Sequence, residues 1–195
     1  MIFLQNGYSM EQPSNYKAVK KIYDSLGDDI KSYFNQAEIL LTHEDIGLDV
    51  CLAYLFLRIE AVQNRALFGA LSKLHRVDTK FARRLLNMQH ITRDGYLSLF
   101  KNIFGHELSD ETTKLLNTAK KVRDRLIHGK SVSEAELRTA IVDCFKYSIA
   151  FKEEIYKISK FSPFSDMRGV KGRGKSLSPT TSKWIMRGLG FGVRP

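Results

Sequence analysis

Leu48-Asp49-Val50-Cys51-Leu52-Ala53-Tyr54-Leu55-Phe56-Leu57-Arg58-Ile59 is the stretch on which the fold turns. Its apolar positions follow no two-residue alternation, so it predicts a helix and not a strand. The helical pattern runs on to about Leu74. Because the first half is apolar nearly all round, it is expected to be a central helix surrounded by others. The wholly apolar run from Val50 to Leu57 falls well short of the roughly 20 residues that cross a bilayer.

The same helical spacing extends on both sides, from Ser14 to Lys160. Ser14 is the expected N-cap of a first helix from about Asn15 to Leu26, closed by Gly27. A second helix is expected from Asp28 through Leu40. Asp78 is placed to cap a helix from Thr79 to about Gln89, and Gly105 to stop another running from Tyr96 to Phe104. Ser109 or Asp110 opens a helix that ends at His128, with Gly129 as its left-handed C-terminal residue. Ser133 with Glu136 forms the pattern of a capping box at the head of the last long helix, which reaches about Lys160. These elements predict an all-α, up-and-down helical bundle over residues 14–160.

Residues 161–195 change character: glycine and proline interleave with seven basic residues against one acidic. This C-terminal segment is expected to be a basic, Gly-rich tail, flexible or docking on the bundle or a partner. Within it Gly169-Val170-Lys171-Gly172-Arg173-Gly174-Lys175-Ser176 matches the expression G-x-x-x-x-G-K-[ST] letter for letter. A phosphate-binding loop of that kind follows a buried strand and opens a helix on a parallel sheet. No strand pattern precedes this one, so no nucleotide site is predicted.

The whole chain, 195 residues at a formal charge of +10, favours a polyanionic partner. Lys171, Arg173, Lys175, Lys183, Arg187 and Arg194, with Trp184 and Phe191 able to stack on bases, suit single-stranded nucleic acid. Cys51 and Cys144 fall in apolar stretches without paired spacing and are expected to be buried thiols of a cytoplasmic protein. Met1-Ile2-Phe3-Leu4 is too brief for a secretory leader. His43, His75, His90 and His106 show no ligand spacing, so neither a metal nor any cofactor is predicted.

On a helical wheel, Val122, Leu115, Leu126, Ala119, Leu116 and Ile127 share an apolar arc of about 140°, and Arg123 lies inside it. A guanidinium on such a face needs a buried acid, or a cleft or subunit interface that anions enter. His128 follows about 7.5 Å along the axis, where its ring is expected to swing towards the same cleft. Asp124, four residues before His128, is placed to orient the imidazole. A general acid–base group beside a fixed cation is what RNA cleavage by the 2′-hydroxyl requires. Glu60, polar within the central helix, is expected to pair with Arg123 or to line its cleft, pairing being favoured because buried acids need partners. Lys120, Arg125 and Lys130 surround the motif and are candidate RNA contacts.

Arg123-Asp124-Arg125-Leu126-Ile127-His128-Gly129, in the penultimate long helix of an all-helical domain, resembles the R-x(4–6)-H motif of the HEPN superfamily. The resemblance implies a metal-independent endoribonuclease that leaves 2′,3′-cyclic phosphate ends, of the kind found in toxin–antitoxin, abortive-infection and other defence or stress-response systems. It implies Arg123 and His128 as catalytic residues, Asp124 as an orienting one, RNA as substrate, a homodimer, and an antitoxin or other regulatory protein as partner. Lys130 stands where one subtype has tyrosine, so that subtype is not indicated. The alternative is a non-catalytic helical module, an adaptor or regulator that binds nucleic acid or protein.

Overall fold

The computed structural model describes residues 13–43, 47–89 and 91–193. Met1–Leu4, His90 and Arg194 lie outside the described residues. Nine helices and no strand occur among those described. They are α1 (Tyr16–Asp24), α2 (Asp28–Tyr33), α3 (Ala37–Leu40), α4 (Leu48–Lys73), α5 (Thr79–Met88), α6 (Arg93–Phe104), α7 (Asp110–Ile127), α8 (Glu134–Ser159) and α9 (Pro179–Gly188). The protein is an all-α helical bundle.

Helix ends follow local chemistry. The Asp78, Thr92 and Ser109 side chains each accept from a backbone N–H one turn in. Ser133 and Glu136 form the complete capping box expected of them. Asn15, and not Ser14, caps α1, accepting from the Ala18 N–H at 2.9 Å. The helix expected to run from Asp28 to Leu40 is two short ones, because the chain leaves helical geometry at Phe34.

α4 is the spine: α3, α5, α6, α7 and α8 pack on it, while α7 and α8 form the tightest pair and α1 lies on α8. Leu52, Leu55, Ile59, Leu67 and Leu71 of α4 are fully buried with Phe145 and Phe151 of α8. Burial of this kind stabilises at about 25 cal/mol per Å² of apolar surface removed from water. The spine is nevertheless not enclosed, contrary to the reading of its apolar run. Val50 and Leu57 are 48% and 66% exposed, and Ala53, Glu60 and Asn64 also face outwards. The neighbouring helices cover one side of α4 and leave a strip open, whatever the residue type there.

Residues 161–193 lie along the far half of α4. Phe161, Phe164, Met186 and Phe191 are buried, and Gly69 leaves the space that the Phe161 ring and Met167 occupy. Gly172 donates its backbone N–H to Ser72 O, so close to Lys73 O that a Cβ there would clash with it. The P-loop-like octapeptide thus runs as irregular chain against the end of α4. Ser182 Oγ accepts from the Asp78 N–H, and Asn102 donates to Leu189 O. Cys51 and Cys144 are free, buried thiols; burial pushes Cys51 up to about 12 and holds Cys144 well above its ordinary value. No helix among the described residues is long and apolar enough to cross a membrane.

Candidate functional site: a cationic cleft between α4, α6 and α7

α7 begins under a firm cap, with Ser109 bonded to both Thr112 and Glu154. Leu116 and Ala119 are its buried turns. One turn on, the position that continues this stripe is Arg123. Its guanidinium lies over the Phe56 ring, 4.7 Å from the centroid, and the side chain keeps 21% exposure. Planar stacking on an aromatic face lets a guanidinium occupy an apolar site without an acid directly beneath it.

Arg123 opens into a cleft of about 420 Å³, whose other walls include Glu60, Gln63, Gln89, Tyr96 and Lys120. Glu60 lines the cleft and forms no ion pair with Arg123, so the expected pairing is not made. The strip of α4 that carries Glu60 is open, which keeps its carboxylate in solvent. Asp124 is the nearest acid: Oδ1 is 3.2 Å from Arg123 Nε, and Oδ2 is 3.5 Å from Lys120 Nζ. The Arg123 Nε contact lacks hydrogen-bond geometry, and this buried nitrogen has no hydrogen-bond partner. The cleft therefore holds two cations, one of them with unused donor capacity.

His128 is the C-cap of α7. Its backbone N–H donates to Asp124 O at 3.1 Å, and the following turn is a Schellman motif: Gly129, at φ 67°, bonds Leu126 O, and Lys130 bonds Arg125 O. The ring is exposed and does not line the Arg123 cleft within one chain. Asp124 faces Lys120 and Arg123, not the imidazole, because a side chain pointing back along a helix meets the preceding turn before the frayed end.

Arg125 has another employment. It donates to Glu136 Oε1 and, at 2.6 Å, to Ser131 O, tying the end of α7 to the cap of α8. Lys130 is exposed at the turn. Lys171, Arg173 and Lys175 are exposed along the end of α4. Arg187 donates to Val193 O and stacks on the exposed Trp184, with Lys183 half-buried beside them. None of these C-terminal residues lines the Arg123 cleft.

Gln63 and Asn64, which also line the cleft, are polar residues of the central helix, as Glu60 is. Gln89 and Tyr96 carried no such signal: the first ends a short helix, and the second reads as an ordinary core aromatic. Among the described residues no group of three or more His, Cys, Asp or Glu side chains is gathered. No family model, curated protein or solved structure matches this chain.

Proposed function

We propose that the protein is a HEPN-like, metal-independent endoribonuclease acting as a homodimer, with a role in defence, toxin action or stress response. The observation that carries this reading is Arg123, held on Phe56 inside an open cleft with an unbonded Nε. A scissile phosphate there meets Arg123 and Lys120, which stabilise charge developing on its oxygens. The 2′-hydroxyl oxygen attacks phosphorus as its proton passes to a base. The 5′-oxygen leaves with a proton from an acid, and a 2′,3′-cyclic phosphate remains.

His128 is the acid–base group of this reading, and a second copy is what brings such a group to a cleft its own chain leaves it outside. Exposed Leu57 on α4 and Ile127 on α7, 66% and 63% accessible, give apolar surface for that association. An antitoxin-like regulator would cover the same region. The position of His128 outside the cleft favours the second reading, a non-catalytic RNA-binding module. Incubating the purified chain with a mixed RNA pool in excess chelator separates the two. Cleavage with cyclic phosphate ends is expected, and binding without cleavage overturns the enzyme in favour of the module.

A further inference from the structure

A second cleft, of about 550 Å³, opens between α4, α5 and the chain that follows α8. Each of the three supplies an arginine to its wall: Arg65, Arg83 and Arg168. Among the described residues, Asp166 is the acid of this cleft, and its ion pair is with Arg168, at 2.6 Å. Arg65 is fixed in place, donating to Ser165 O and lying over the Tyr33 ring at 4.9 Å. Arg83 is exposed and lies over the Phe68 ring, 5.1 Å from its centroid. Three guanidinium groups thus face one carboxylate, and the excess charge stands in a concave site.

This cleft adjoins the one that holds Arg123. Asn64, exposed on the open strip of α4, lines both. Each cleft also presents an arginine lying over a phenylalanine of α4, Arg123 over Phe56 and Arg83 over Phe68. Those phenylalanines are twelve residues apart, which is about 18 Å along the helix axis. A stacked strand covers that length in about five nucleotides, at about 3.4 Å each. The planar fork of a guanidinium matches phosphate oxygens with two parallel N–H bonds. Cations spaced along a groove follow the backbone of a single strand in this way.

Resting on the RNA reading above, we infer that the second cleft is a phosphate-binding subsite, and that one RNA strand runs along the open strip of α4 from Arg123 to Arg83 and Arg168. It holds a phosphate several nucleotides from the scissile one. It contributes affinity and no base preference, since guanidinium groups here meet phosphate oxygens and not base edges. Asp166 opposes the strand, because it neutralises Arg168 and repels an incoming phosphate. A trimer, with two phosphates, is too short to occupy both clefts, and a decamer reaches both.

The test uses the full chain and uniform uracil 2′-O-methyl oligonucleotides, a trimer and a decamer, which lack the attacking hydroxyl. Affinity for the labelled decamer is read by fluorescence anisotropy, and for the trimer by competition. The decamer is expected to bind at least about tenfold tighter, because its second contact is made within one complex. Arg83→Gln, at an exposed side chain, is expected to shrink that advantage severalfold at an unchanged melting temperature. It should also lower the slope of log affinity against log salt by about 0.7, the share of one phosphate contact. Asp166→Asn removes the acid of the cleft and is expected to tighten the decamer, a gain that a merely structural role would not give. A decamer bound no tighter than the trimer, or a decamer affinity and salt slope unchanged in both variants, overturns the inference. Arg123→Ala separates the two readings. Weaker decamer binding in Arg123→Ala with none lost in Arg83→Gln keeps the RNA reading and sinks this subsite. Loss in Arg83→Gln with none in Arg123→Ala keeps the subsite and sinks the reading of the Arg123 cleft.

Discussion

Arg123 and Arg125 sit two residues apart on α7, and their guanidinium groups meet different surroundings. Arg125 is held by Glu136 and Ser131 at the turn into α8. Arg123 rests on the Phe56 ring at the edge of a cleft, beside Asp124 and with an unbonded Nε. A 200° difference in direction around the helix axis sends one to a connection and the other to an opening. Sequence separates them only by the helical wheel, which puts Arg123 on the apolar arc. The difference teaches that an opening beside the guanidinium, and not charge as such, sets the candidate arginine apart from its neighbour.

Breaking the two arginines separately gives the sharpest contrast. On the ribonuclease reading, Arg123→Ala is expected to lower RNA cleavage by about 10²-fold, the scale of losing one preorganised donor, with little change in melting temperature. Arg125→Ala is expected to reverse this pattern. Its partners are partly exposed and solvent-screened, so the midpoint should fall by only about 2–4 °C, with cleavage per folded molecule retained. Differential scanning calorimetry beside initial rates checks both.

The smallest effect concerns acid. The Ser133 backbone N–H, then Arg125, then the Ser133 hydroxyl hold the Glu136 carboxyl down from 4.5 to about 2. A carboxyl lowered by folding contributes stability that is fully present above its unfolded value and lost as pH falls through its folded one. The wild type is thus expected to lose a small stabilisation between pH 4.5 and about 2. Glu136→Gln should flatten the melting temperature over that interval, and an unchanged profile would show that the cap carries no pH-linked stability.

Much of the fold was legible because it depends on local signals. The capping box at Ser133, the stop at Gly105 and the caps at Asp78 and Ser109 each act within one helical turn. What was not legible depends on how many neighbours a helix has. Val50 and Leu57 look like core residues, but coverage is set by where the other helices fall, and α4 has a side that none of them reaches. The candidate site divides in the same way. Arg123 was visible because a charge on an apolar arc is a local contradiction. Tyr96 was not, since only the packed structure brings it to the cleft wall. Asp124 facing Lys120, and His128 outside the cleft, likewise follow from side-chain direction and not from spacing.

The most direct test of the central claim is the rate of RNA cleavage in excess chelator by the wild type and by His128→Ala, each corrected for folded protein. Because the ring is exposed and makes no described side-chain contact, the substitution should leave the fold intact. The account predicts 2′,3′-cyclic phosphate products from the wild type and a loss of at least about 10²-fold in the variant. Equal cleavage by the two proteins would contradict it.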